Sequence, residues 1–140
     1  MKLAALFVIS AGLAMTQAPA PTRSVWDGVY TADQAKRGQT QYRQHCASCH
    51  GASLTGGEMS PALAGGEFLA NWNGLTAGDL FERIRKTMPQ NKPGKLTRGA
   101  NAEILAYLLA FNKFPESQTE LSSNTEFLKQ IRIEAIKPEK

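Results

Sequence analysis

The chain's two cysteines stand within one turn of backbone and are followed at once by a histidine, in Gln44-His45-Cys46-Ala47-Ser48-Cys49-His50-Gly51. Three chemistries use such an arrangement. Neighbouring thiols form a redox dithiol, or supply part of a zinc site, or add across the vinyl groups of a haem whose iron the adjacent imidazole then ligates. C-x-x-C-H is the attachment pattern of c-type haem. Five residues are short enough for a chance match, so the surroundings must discriminate.

Structural zinc needs four ligands. Beyond Cys46, Cys49 and His50 the only other thiol or imidazole is His45, adjacent to Cys46, and such a set closes poorly. His45 is expected to face solvent. A redox dithiol of the thioredoxin kind opens a helix after a strand, and no alternating strand-like run precedes Cys46. Compartment also bears on the choice. Residues 1–20, MKLAALFVISAGLAMTQAPA, place Lys2 before an apolar stretch from Leu3 to Met15 and then small residues. This is the pattern of a secretory signal peptide. The stretch is shorter than the roughly 20 residues of a membrane span, so an uncleaved anchor is disfavoured. The small-x-small sites at Thr16-Gln17-Ala18 and Ala18-Pro19-Ala20 leave the cleavage point open. In the periplasm or outside the cell, an unreduced C-x-x-C tends to close as a disulfide unless other chemistry takes it.

The elements that must position these groups read as helices. Thr31-Ala32-Asp33-Gln34 has the spacing of a capping box, with Thr31 accepting from the Gln34 N–H and the Gln34 side chain reaching back. A helix over 32–45 would deliver the cysteines. Ala35, Gly38 and Tyr42 share one of its faces, and Gly38, costing about 1 kcal/mol against alanine in a helix interior, implies close approach of another helix. A second helix starts at Thr76 with Asp79 in capping-box position, carries Leu80, Phe81 and Ile84, and stops before Pro89. A third runs from about Thr97 to Asn112 with Ile104, Leu105, Leu108 and Leu109 apolar. The glycine-rich stretch from Gly51 to Gly74 reads as one long loop. Such a loop argues against the surrounding elements in a small domain unless it wraps a cofactor that supplies the missing buried surface.

From about Trp26 to Asn112 the chain resembles a class I cytochrome c of bacterial type. The resemblance is carried by Gly38 and Tyr42 before CASCHG, by Ser60-Pro61-Ala62-Leu63, by Trp72 before Thr76 and DLFERIRKTMP, and by ILAYLLAFN near the end. It implies an all-α fold, helices packed around one covalent haem c with a long haem-wrapping loop, and first and last helices crossing where Gly38 meets Tyr107. It further implies thioethers at Cys46 and Cys49, His50 as proximal iron ligand, Pro61 offering its carbonyl to that imidazole, and Trp72 bonded to a haem propionate, with plain core packing the competing role for Trp72. Met88, 38 residues past His50 and followed by Pro89, matches the family's distal ligand. Met59, nine residues past His50, falls on the proximal side. Domain organisation then reads as a signal peptide (1–20), an extended lead-in (21–30), the cytochrome c domain (31–112) and a C-terminal extension (113–140).

Filled His/Met axial positions leave no room for a substrate, and thioether ligation favours ferrous iron. The implied function is single-electron carriage between redox partners in the periplasm or outside the cell, not catalysis. A haem peroxidase or gas sensor with a labile sixth ligand is the alternative, as is a haem module with a purely structural role. No hydrolase, zinc-protease or phosphate-loop motif is present. The formal charge of +4 falls to about +3 without Lys2, too mild for a nucleic-acid binder. Between Thr76 and Arg98, however, Arg83, Arg85, Lys86, Lys92, Lys95 and Arg98 face only Asp79 and Glu82. This suggests docking on an acidic partner surface, with a solvated helix face as the plainer reading. The lead-in PTRSVWDGVY resembles that of cytochromes found beside quinoprotein dehydrogenases, which suggests such an enzyme as donor and a terminal oxidase as acceptor. In the extension, 124–130 reads as a short helix followed by alternating Ile131, Ile133 and Ala135, able either to pack back or to bind a partner.

Overall fold

A computed structural model of the chain describes residues 20–139. The signal peptide read over 1–20 therefore lies outside the described residues apart from Ala20. Six α-helices are present among the described residues, after a 3-10 turn at Val25–Asp27: α1 (Ala32–His45), α2 (Ala47–His50), α3 (Gly65–Trp72), α4 (Ala77–Thr87), α5 (Arg98–Phe111) and α6 (Thr125–Leu128). Two short strands, β1 (Arg23–Ser24) and β2 (Ile131–Arg132), pair in parallel. The fold is a small all-α globule of the kind the resemblance implies, to which the chain's two flanks add this two-residue sheet. No helix among the described residues is long and apolar enough to cross a membrane.

Local signals account for most helix starts. The hydroxyls of Thr31, Thr76 and Thr97 accept from the N–H groups of Gln34, Asp79 and Ala100 at 3.1 Å each, opening α1, α4 and α5. Each such cap contributes about 1 kcal/mol. At Thr76 the box is reciprocal, Asp79 accepting from the Thr76 N–H at 2.9 Å. At Thr31 only half of it forms. The Gln34 side chain does not reach back; it is buried, and its amide exchanges two hydrogen bonds with the backbone of Leu121, 2.9 Å from Nε2 to the carbonyl and 2.7 Å from the N–H to Oε1. Both polar ends of a buried amide are satisfied this way, which outweighs one more bond at an exposed helix end.

The long loop expected from Gly51 to Gly74 contains a helix, α3. Paired glycines at its start and no polar residue at its N-cap hide it in the sequence. Its cap comes from elsewhere: Asn112, closing α5, accepts from the Gly65 N–H at 3.0 Å. Fully buried Phe68, with Leu69 and Trp72 packed beside it, supplies the apolar face.

α1 and α5 make the most extensive helix–helix contact. A Cβ at Gly38 would overlap the Glu103 carbonyl and come within 3.0 Å of the Tyr107 Cβ. The primary neighbour of Gly38 is thus the α5 backbone, with Tyr107 beside it. Tyr107 instead tilts against Tyr42, ring centroids 5.3 Å apart.

The C-terminal extension packs back. Leu121, Leu128, Ile131 and Ile133 join the core, and the 131/133 alternation is that of a strand with one face buried. Tyr30 Oη donates to the Phe114 carbonyl at 2.6 Å and Trp26 Nε1 to the Glu134 carbonyl at 2.8 Å. Arg37 bridges Glu103 and Glu120 at 2.7 and 2.6 Å. Glu82 of α4 accepts from Arg85 (2.9 and 2.8 Å), from Lys86 (3.0 Å) and from Thr125 Oγ1 (2.7 Å), and Arg98 stands 3.9 Å away.

The Arg85 guanidinium, with Thr125 and Lys86, holds the Glu82 carboxyl well below the usual carboxylate range. A depressed carboxylate stabilises the fold above its unfolded value, about 4.3, and loses that contribution as pH falls through the folded one. Glu82→Gln should therefore lower the urea midpoint at pH 7, and the gap from the unsubstituted protein should narrow as pH falls below about 4. A gap constant from pH 7 to about pH 3 would mean that the ionised carboxylate is not what ties α4 to the extension.

Candidate functional site

Cys46, Cys49 and His50 come together because α1 ends on them. Cys46 donates its N–H to the Tyr42 carbonyl at 2.8 Å, and the single turn of α2 carries the motif onward to Gly51. Tyr42, fully buried, donates its phenol to the Gly51 carbonyl at 2.7 Å. Burial pushes that phenol far above its ordinary value, so it stays a donor at any physiological pH. The sequence places Tyr42 on one helix face with Ala35 and Gly38; its hydroxyl, which pins the exit of the motif, carries no local signal.

His50 is 7% exposed. Its Nδ1 lies 2.9 Å from the Pro61 carbonyl oxygen. A carbonyl can only accept, so Nδ1 carries a proton, and in the neutral ring Nε2 is then the nitrogen with the lone pair, the tautomer that ligates a metal. The same bond orients the ring and raises the basicity of the ligating nitrogen. Pro61 is itself held by the surrounding turns: Gly57 and Ser60 exchange backbone bonds at 2.8 and 3.3 Å, and the Leu63 N–H reaches the Leu54 carbonyl at 2.8 Å. Asn112 Nδ2 donates to the Leu63 carbonyl at 3.0 Å, so the end of α5 clamps the loop that carries Pro61. Only the position of Asn112 at a helix end hinted at this.

The two thiols are unpaired, Cys46 half-buried and Cys49 exposed. Burial, with the neighbouring Cys49, pushes the Cys46 thiol up to about 11. Redox dithiols need the opposite, a thiol made acidic by its surroundings. No group of three or more His, Cys, Asp or Glu side chains converges as a metal cage among the described residues. The donor set is therefore one imidazole with a free Nε2 beside two thiols in covalent-attachment spacing, which fits haem c.

The remaining candidates separate. Met88, the C-cap of α4, is half-buried against the core and donates its N–H to the Ile84 carbonyl at 2.9 Å. Met59 stands at the tip of the 57–60 turn, 93% exposed. Trp72 is half-buried, 6.5 Å in ring centroids from Phe68, and its indole N–H has no hydrogen-bond partner among the described residues. His45 is half-buried in the last turn of α1. Of the basic residues between Thr76 and Arg98, Arg85 and Lys86 pair with Glu82 and Arg98 donates to the Ser123 carbonyl and Thr125 Oγ1 at 2.9 and 2.7 Å, whereas Arg83, Lys92 and Lys95 are exposed and make no ion pair among the described residues.

A family model described as cytochrome c oxidase, cbb3-type, subunit III matches residues 33–108. The chain belongs to that family of c-type cytochromes. It is also similar in structure to a chain of the sulfane dehydrogenase SoxCD from Paracoccus pantotrophus, with a TM-score of 0.53 and 23% identity over 86% of this chain and 68% of that one. No curated protein matches it significantly. This cytochrome c thus carries covalently bound haem c and is an electron-transfer haem protein. With Cys46→Ala or Cys49→Ala, acid–acetone should extract haem that stays with the unsubstituted protein. Haem freely extracted from the unsubstituted protein would remove covalent attachment from this chain.

Proposed function

We propose that the protein is a periplasmic or secreted single-electron carrier, not an enzyme, in which Cys46 and Cys49 hold the haem as thioethers and His50 and Met88 are the axial ligands. What supports it above all is the His50–Pro61 bond at 2.9 Å, which places the proton of the neutral ring on Nδ1 and makes Nε2 the ligating nitrogen beside the only two thiols of the chain. Haem iron supplies a one-electron ferric/ferrous couple. The chain's part is to set the couple's potential and to exclude other ligands: a thioether raises the potential, and the buried, hydrogen-bonded imidazole keeps its orientation. The choice of Met88 over Met59 rests on burial against the core. The unpartnered indole N–H of Trp72 is available to a haem propionate.

Arg83, Lys92 and Lys95 would form the docking face toward an acidic partner. A quinoprotein or other dehydrogenase suits the donor side and a terminal oxidase the acceptor side. An oxidase in the family's description and a dehydrogenase as the structural neighbour are in keeping with both. Extracytoplasmic placement follows from the signal-peptide pattern of residues 1–20.

Met88→Ala should abolish the weak sulfur-to-iron band of the ferric protein near the red end of the visible spectrum, lower the potential, and open the iron to cyanide and carbon monoxide. Met59→Ala should do none of these. A band that survives Met88→Ala rules Met88 out as ligand, and ready carbon monoxide binding by the unsubstituted ferrous protein would favour a sensor or peroxidase instead.

Reversing Lys92 and Lys95 to glutamate should slow electron exchange with the physiological partner and flatten its salt dependence, since exposed charges act over about 10 Å at 0.1 M salt. An unchanged rate and slope would return both lysines to the role of solvated side chains.

A further inference from the structure

Between Met88 and α5 the chain runs through an exposed stretch: Gln90 to Lys95 all face solvent, and Leu96 alone turns back onto the core. Residues 89–96 hold themselves together with two backbone bonds, Lys92 N–H to the Pro89 carbonyl at 2.9 Å and Lys95 N–H to the Lys92 carbonyl at 3.3 Å. Among the described residues, only one hydrogen bond ties this stretch to anything outside it. Asn101 Nδ2, in the first turns of α5, donates to the Leu96 carbonyl at 3.2 Å and also to the Thr97 carbonyl at 2.8 Å.

Asn101 is fully buried, and its Oδ1 has no partner among the described residues. Turning the amide over would aim that oxygen at two carbonyl oxygens, so the donor contacts fix its orientation. A buried acceptor left unpaired opposes stability; the side chain's useful half is its donor, and the donor acts on the exit of the Met88 loop.

The geometry points to Asn101 as a positioning residue for the distal ligand: by holding Leu96 and Thr97 it closes the loop at the end opposite Ile84 and so limits the excursions of Met88 from the iron. This rests on Met88 being the ligand. A looser loop lets an outside ligand compete better for the sixth position while leaving the rest of the fold in place.

Imidazole binding to the ferric holoprotein reads this directly. Asn101→Ala, which removes both donor contacts, should bind imidazole about tenfold more tightly, the ratio expected for one to two buried hydrogen bonds. Asn101→Ser is the gentler variant, since a helical serine can bond the carbonyl four residues back, here Thr97, but loses Leu96; it should shift affinity in the same direction. Val25→Ala, at a fully buried position of the lead-in, controls for general destabilisation and should leave imidazole affinity unchanged. Unchanged affinity in both Asn101 variants, with the sulfur-to-iron band still lost in Met88→Ala, would overturn the role of Asn101 alone. An equal shift in Val25→Ala would do so too. If Met88→Ala binds imidazole no better than the unsubstituted protein, Met88 is not the ligand and both readings fall.

Discussion

A side chain at position 38 has no room: a Cβ there would overlap the Glu103 carbonyl, so α1 and α5 can cross backbone to backbone only because the residue is glycine. Gly38 gives up about 1 kcal/mol of helix propensity relative to alanine. Any side chain would force the two longest helices apart, at a cost of about 1–3 kcal/mol or more. Much of the site hangs from that crossing. The end of α1 leads into Cys46 and α2. The end of α5 presents Asn112 to Leu63 and Gly65, holding the loop that brings Pro61 to His50. The start of α5 presents Asn101 to Leu96. The supports of the His50 loop and of the Met88 loop are thus opposite ends of one helix, set by its approach to another.

Around this frame the flanks form a belt. The lead-in and the extension pair as β1 and β2, Trp26 packs edge-on against Phe114 at 4.9 Å, and Gln34 seizes the backbone of Leu121. The apolar residues of the belt join the common core, which offsets the entropy of ordering the segment. Its polar clamps select one placement for it. Exposed ion pairs are usually worth little, but Glu82 gathers several donors from three elements, and networks of that kind do more than isolated pairs.

Tuning a c-type haem depends on axial ligands, on hydrogen bonds to them and on burial. On the proposed ligation, the chain supplies a hydrogen-bonded, buried imidazole and a thioether. Arg85 and Lys86 pair with Glu82 and Arg98 bonds Ser123 and Thr125, which leaves Arg83, Lys92 and Lys95 as the charges of the region without such a partner among the described residues. Local pairing therefore divides a run of like charges into members tied to the fold and members that are not.

Features that depend on neighbours in sequence were legible without the structure. The C-x-x-C-H spacing, the threonine caps of α1, α4 and α5, the stop before Pro89 and the close approach at Gly38 are set by local stereochemistry or by the lack of a side chain. Groups satisfied from far along the chain were not. Gln34 occupies a capping-box position yet bonds Leu121, 87 residues away; α3 has no cap of its own and borrows Asn112 from 47 residues on; Tyr42 reads as apolar but acts through its hydroxyl. Nor could the sequence tell whether residues 113–140 pack back or stay free, since their apolar alternation suits either. The tertiary structure decided these points because a buried polar group takes whichever partner folding brings within 3 Å, and that partner is a property of how the helices cross, not of the residues beside it.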